Sequence, residues 1–188
     1  MPVIFPEEID LKVVFVGLAN SGKTTLVRRL KDPDNFDSNV SPTMGVAIEL
    51  LEFNDKNGRT VQYLALDCGG QPAFFQMWEG HVRASDGVVF LFDSTDPSSV
   101  EDTSLWLSEV LNWLEQGKYE GDTPLLFLAN KSDDKKALPL DDIVKRLNLN
   151  KFIGKSFGVY HISALKGDNV TEAFQWFLNR VKSDITPE

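Results

Sequence analysis

Leu11-Lys12-Val13-Val14-Phe15-Val16-Gly17-Leu18-Ala19-Asn20-Ser21-Gly22-Lys23-Thr24 holds the junction that decides the fold. Residues 11–16 form a short apolar run rich in β-branched side chains, which is how a strand buried on both faces reads. The run breaks at Gly17, and Gly17 to Thr24 fits G-x-x-x-x-G-K-[ST] ahead of a segment with helical spacing. Glycines let such a loop curl until successive backbone N–H groups point at phosphate oxygens, and the following helix N-terminus adds positive potential. Ala19, Asn20, Ser21, Gly22, Lys23, Thr24 and Thr25 are therefore candidate phosphate contacts. Lys23 is expected to reach the β- and γ-phosphates, and the Thr24 hydroxyl to ligate Mg²⁺.

Working outward, similar apolar runs recur at 87–92, 124–129 and 159–162. Helical stripes lie between and after them. Leu107, Val110, Leu111 and Leu114 form one, and Val170, Ala173, Phe174, Phe177, Leu178 and Val181 another. Strands alternating with helices imply an α/β fold with a parallel sheet covered on both faces. One section departs from the alternation: 46–53 and 60–66 are strand-like runs joined by Asn54-Asp55-Lys56-Asn57-Gly58-Arg59, which predicts an antiparallel hairpin. No linker or repeat divides the chain, so residues 1–188 read as one domain, with 1–10 and 184–188 as loose ends.

Three more segments fall at strand ends, where open α/β sheets bind ligands, and a fourth lies in a polar stretch. Asn130-Lys131-Ser132-Asp133 follows the run at 124–129. A carboxylate at Asp133 can accept from both N1–H and the 2-amino group of guanine, donors that adenine lacks in that arrangement. Lys131 can lay its stem along the base, and Asn130 can tether the phosphate loop. Asp67-Cys68-Gly69-Gly70-Gln71 ends the second hairpin strand. There Asp67 can hold Mg²⁺ through a water, Gly70 can bring its N–H close to a terminal phosphate, and Gln71 can orient an attacking water. Thr43, in the polar stretch 32–45, offers Mg²⁺ a second hydroxyl. Ser163-Ala164-Leu165-Lys166 ends the last strand, where the Ala164 N–H can meet guanine O6 and Lys166 can cover the base.

Other features read blandly. Trp106, Trp113 and Trp176 suit packing, Cys68 a small buried residue, and His161 a structural place within a strand. Trp78 and His81 are open between packing and a partner surface. The chain carries net charge −9 with pI about 4.7, which disfavours nucleic acid and anionic lipid as partners. Its densest basic run, Arg28-Arg29-Lys31, reads as a solvated helix face. One cysteine excludes an internal disulfide, no apolar run approaches the ~18 residues of a membrane span, and Met1 to Pro6 is no signal peptide. A cytoplasmic location follows, with any membrane recruitment through partners.

These segments in this order resemble the Ras superfamily of small GTPases, and within it the Arf/Arl family. The likeness rests on Gly17 to Leu26, Pro42-Thr43-Met44-Gly45, Asp67-Cys68-Gly69-Gly70-Gln71 and Trp78. It implies a P-loop NTPase of the G-domain type, with a six-stranded, mostly parallel sheet, one antiparallel edge strand and helices on both faces. It also implies GTP/GDP and Mg²⁺ as ligands, a monomer, and two switch regions around Thr43 and Gln71. Exchange factors, GTPase-activating proteins and effectors are the implied partners. Several residues depart from the family pattern. Pro2 stands where a myristoylated glycine is usual, and the C-terminus is no prenylation signal, so direct lipid anchoring is not expected. Ala19, Val46, Leu66 and His81 also differ from the usual residues, and the hairpin tip is long.

On this reading Gln71 and Lys23 are the catalytic residues. The stretch 32–45 contains no arginine, so hydrolysis is expected to be slow without an activating protein. A GTP-binding scaffold without hydrolysis is the alternative.

Overall fold

Strands form where both faces of the chain find apolar cover. Along β1 (Lys12–Val16), Val13 and Phe15 pack on one side of the sheet while Val14 and Val16 pack on the other. The computed structural model describes residues 11–54, 58, 60–152 and 156–183. Both expected loose ends, and the hairpin tip at 55–57 and 59, lie outside the described residues. Gly58 is described and has φ 75, the left-handed value that a turn glycine supplies.

The helices and strands follow in the order α1 (Lys23–Lys31), β2 (Val46–Asn54), β3 (Thr60–Cys68), α2 (Phe75–Arg83), β4 (Gly87–Asp93), α3 (Val100–Glu115), β5 (Leu125–Asn130), α4 (Leu140–Arg146), β6 (Phe157–His161) and α5 (Val170–Ser183). They build a six-stranded sheet in the order β2-β3-β1-β4-β5-β6. Neighbours pair in parallel except β2 and β3, which run antiparallel from Val46 opposite Cys68 to Asn54 opposite Thr60. The mostly parallel sheet with one antiparallel edge is therefore as expected.

All residues of β4 and β5 are buried, which is why these segments read as unbroken apolar runs. One face is covered by α2, α3 and α4, through Trp78, Leu107, Val110, Leu114 and Ile143 against Val14, Phe90 and Phe127. The other is covered by α1 and α5, where Leu26, Phe174 and Phe177 meet Val13, Phe15 and Leu126. Both predicted helical stripes face inward. The third helix's stripe is buried at Leu107, Val110 and Leu114, and every position of the α5 stripe is buried.

Element ends differ from the sequence reading by one or two residues. Two-residue shifts occur at the start of β6, which begins at Phe157, and at the end of β3, which runs through Asp67 to Cys68 because Val46 and Ala47 still pair with them. Asp67 thus sits on a rigid strand rather than a loop. No described helix is long and apolar enough to cross a membrane.

Candidate functional site

The C-terminal ends of β1, β3, β4, β5 and β6 open onto one edge of the sheet, and the loops there enclose a cleft of about 450 Å³. Its floor is the loop between β1 and α1. Gly17 has φ 139, and a Cβ there would lie 2.2 Å from Leu91 O, so only glycine lets the loop leave the sheet this way. Ala19, Asn20, Gly22, Lys23, Thr24 and Thr25 line that wall, while Ser21 is buried beneath it. The opposite wall holds Thr43, Gly70 and Gln71, and Lys131 closes one end. Ser38 to Pro42 line the cleft too. From sequence, only Thr43 was assigned a ligand contact there, with Pro42 quoted for the family pattern, and residues 38–40 carry no distinguishing pattern.

Lys23 is buried, its ammonium donating to Gly17 O at 2.8 Å and Leu18 O at 2.9 Å. Burial lowers its pKa to about 8, a loss that the nearby Asp67 charge opposes. The site thus holds a cation short of counter-charge, which an anion such as phosphate would supply. Gly70 sits directly over it; a Cβ there would come within 2.6 Å of both Gly17 O and Lys23 Nζ.

Thr24, Thr43 and Asp67 converge although they lie on α1, the polar stretch and β3. Thr24 Oγ1 donates to Asp67 Oδ2 at 2.6 Å, Thr43 Oγ1 donates to the same oxygen at 3.1 Å, and the two hydroxyls are 2.9 Å apart. Asp67 Oδ1 is buried without a hydrogen-bond partner among the described residues. Burial raises the Asp67 pKa, against the Thr24 hydrogen bond and the Lys23 charge. An unsatisfied buried carboxylate oxygen beside two hydroxyls is a hard-oxygen donor set that fits a divalent cation such as Mg²⁺.

The far end of the site is organised by Asn130. Its Nδ2 donates to Ser21 O at 2.8 Å, the tether expected of it, and its Oδ1 accepts the Ala164 N–H at 2.8 Å. The N–H read as facing a base is thus engaged by Asn130 in this structure. Ser163 Oγ donates to Asp133 Oδ1 at 2.6 Å, which orients that carboxylate, and half-exposed Leu165 follows on the same loop. Lys131 adopts φ 70, and its ammonium pairs with Asp93 Oδ2 at 2.6 Å. Asp93 is held in turn, accepting from Thr95 N at 3.0 Å and Thr95 Oγ1 at 2.7 Å, while Ser94 Oγ donates to Asn130 O at 2.5 Å.

The sequence reading passed over Asp93 and Ser94. The signal was available, since Asp93 ends β4 just as Asn130 ends β5, and Ser94 follows it.

The structure sharpens two further readings. Trp78 is fully buried, its indole N–H donating to Gly69 O at 3.0 Å, so it braces the Gly69-Gly70-Gln71 turn from within. It offers no surface to a partner, because its ring packs at 4.6 Å from Phe75 and 5.7 Å from Trp106. His81 stays half-buried. The basic run faces solvent as read, with Lys31 exposed and Arg28 and Arg29 partly so, yet each side chain also makes specific contacts. Arg28 donates to Asp37 O and Asn39 O, and Lys31 pairs with Glu49. Arg29 donates to Ala164 O and Leu165 O while its guanidinium lies 4.4 Å over the Phe36 ring. All three tie α1 to the neighbouring loops and strand. Cys68 is buried as expected, its thiol pushed up to about 12 by burial, and burial lowers the pKa of His161 on its strand.

The family model for the ADP-ribosylation factor family, Arf, matches residues 3–181 of this chain. The chain belongs to the Arf family. It is accordingly a GTP-binding protein of the Ras superfamily, and GTP hydrolysis is the activity of the family. ADP-ribosylation factor-like protein 4C of Homo sapiens is 33% identical over 182 residues, covering 93% of this chain and 90% of the relative. ADP-ribosylation factor-like protein alp41 of Schizosaccharomyces pombe is 32% identical over 176 residues, covering 94% and 89%. Among solved structures, the Arl6 BBS3 small GTPase of Trypanosoma brucei with bound nucleotide analogue GppNp superposes with a TM-score of 0.79. That match is 30% identical and covers 92% of this Arf-family chain and 98% of the other. Arf-family proteins in general work with exchange factors, activating proteins and effectors.

Proposed function

We propose that this Arf-family protein holds GTP or GDP with Mg²⁺ in the cleft and hydrolyses GTP slowly. The segments around Thr43 and Gln71 would then present its nucleotide state to partners. The meeting of Thr24, Thr43 and Asp67, with Asp67 Oδ1 left unpartnered, carries this reading. Thr24 and Thr43 would hold Mg²⁺ directly and Asp67 through a water. The bound ion would neutralise charge on the β- and γ-phosphates.

The remaining work falls to the chain's own groups. The loop amides and Lys23 stabilise phosphate charge, and the depressed Lys23 pKa makes an anionic ligand the better partner for its ammonium. Asp133, oriented by Ser163, accepts from the donor edge of guanine, while Lys131, steered by Asp93, covers the base. Gln71 orients the attacking water. With no arginine in residues 32–45, charge stabilisation around the γ-phosphate stays incomplete until a partner supplies one. The family match over residues 3–181 supports one G-domain, which we take to act as a monomer.

The test is the nucleotide that the protein carries. Chromatography of a heat-denatured sample is expected to release GDP or GTP. Unlabelled GDP should also displace a fluorescent GDP analogue at concentrations about 10³-fold or more below those needed of ADP. Chelating Mg²⁺ should speed release by roughly tenfold, as phosphate repulsion goes unscreened. Co-purifying ATP, or equal displacement by ADP, would overturn the reading.

Arg29 adds a prediction about retention. It joins the Ala164-Leu165 loop to the start of the stretch 32–45 through Phe36. Arg29→Ala is expected to speed GDP dissociation about fivefold, since losing a charge-assisted bond to each carbonyl loosens the base loop. Stopped-flow release of the fluorescent analogue measures it. An unchanged rate would mean that the loop keeps its shape without the clasp.

A further inference from the structure

Between α2 and α3 lies a groove of about 550 Å³ with an aromatic floor. Trp106 lies at its centre, its ring 4.3 Å from Phe75 and 6.4 Å from Trp113, each centroid to centroid. Phe75 and Trp113 are buried, whereas Trp106 keeps part of its surface open and Leu105 at the rim is 57% exposed. Glu79 on α2 and Glu109 on α3 stand at the edges of the groove.

The charge is one-sided. Glu101, Asp102, Glu109 and Glu115 lie along α3, which carries no basic residue. Arg83 of α2 is already engaged with Glu79 at 2.7 Å and with Gln116 at 3.0 Å. The Glu109 carboxylate has no hydrogen bond or ion pair with any described residue, although it borders an aromatic floor. A carboxylate beside a tryptophan face is the pairing that receives a guanidinium or ammonium group, because the ring quadrupole and the anion both attract a cation. The surrounding apolar floor receives aliphatic side chains.

We propose that this groove docks a basic amphipathic helix of a partner protein. One arginine or lysine sits over Trp106 and pairs with Glu109, and aliphatic residues of the same helix cover Leu105 and the floor. A helix supplies both kinds of side chain on adjacent faces at i, i+3 and i+4. The carboxylates of α3 repel an anionic membrane surface. A lone quaternary ammonium head group would use the Trp106 face but leave Leu105 and most of the groove uncovered. The groove also adjoins the Gly69-Gly70-Gln71 turn, since Trp78 bonds Gly69 O and packs 5.7 Å from Trp106. The inference goes beyond nucleotide chemistry and does not depend on it.

The probe is a fluorescein-labelled helical peptide of roughly 16 residues, with leucine at helical spacing and arginine on the flanks. Its fluorescence anisotropy is read with the full-length, GDP-loaded protein at about 150 mM salt, where long-range attraction is screened. The peptide is expected to bind, and its counterpart with glutamate for arginine is not. Glu109→Lys and Trp106→Leu should each weaken binding by roughly tenfold. Glu172→Lys makes the same charge change on α5, across the sheet, and should weaken it by less than about twofold.

Trp106 packs against neighbouring rings, so the partly exposed Glu109 supplies a variant that leaves the core intact. Release of the fluorescent GDP analogue, unchanged in all three, checks the fold. Equal weakening by Glu109→Lys and Glu172→Lys would reduce the effect to net charge and overturn the proposal. So would binding of the glutamate peptide, or binding of phosphatidylcholine vesicles in place of the arginine peptide. Self-association on gel filtration that Glu109→Lys abolishes would give the groove to a second copy of the chain, which also overturns it.

Discussion

Asp133→Asn is expected to exchange guanine preference for xanthine preference, with GDP affinity falling by about 10³-fold or more. The wild-type carboxylate is acceptor-only. Ser163 Oγ donates to Oδ1 at 2.6 Å and fixes the plane of the group. Guanine offers that plane two donors, N1–H and the 2-amino group, so a carboxylate satisfies both. An asparagine presents its NH₂ to the 2-amino group, leaving two donors opposed with neither satisfied. Xanthine carries a carbonyl at that carbon and accepts from the same NH₂, which restores both bonds. Competition of GDP and XDP against a fluorescent nucleotide measures the exchange. A variant that keeps the wild-type ratio of the two would remove Asp133 from base recognition.

Gln71→Leu should produce the second large effect, a fall in single-turnover GTP hydrolysis of about 10²-fold or more with GTP affinity nearly unchanged. Gln71 lines the cleft three residues beyond the end of β3, held in extended conformation at φ −82 and ψ 147. Its carbonyl accepts from Phe74 N–H at 2.9 Å, so the backbone is secured independently of the side chain. The side-chain amide makes no hydrogen bond to a described residue and is available to orient water. Leucine has similar bulk without donor or acceptor, so packing survives while the polar function goes. Single-turnover kinetics at saturating protein decide the matter: an unchanged rate would mean that water is oriented by another group. A non-hydrolysing scaffold would show no loss because there would be no activity to lose.

Much of the site was legible before the fold because its chemistry is written in short local patterns. Gly17 and Gly22, with φ 139 and 93, meet backbone demands that few other residues tolerate, so their spacing is visible in the chain itself. Asn130 and Asp133 directly follow a buried apolar run, and strand ends are where an open sheet binds ligands. The contacts of the basic run Arg28-Arg29-Lys31 were not legible, for the opposite reason. Its role depends on partners distant along the chain, such as Ala164 O for Arg29, 135 positions away. Charge on a helix surface looks the same in sequence whether it faces water or a carbonyl. Trp78 was ambiguous in the same way until its indole N–H was found on Gly69 O in a closed aromatic packing.

The sequence by itself determined the parallel sheet with its antiparallel hairpin, the loop from Gly17 to Thr24, and the segments that converge on it. Periodicity and glycine placement act within a few residues, so they need no knowledge of the folded whole. Only the tertiary structure decided how those segments are held: Asp93 against Lys131, Arg29 across to the base loop, and Thr24 and Thr43 on a single oxygen of Asp67. These pairings exist because sheet order brings strand ends together that the chain keeps far apart, and burial then gives each polar contact a value it would lack in water.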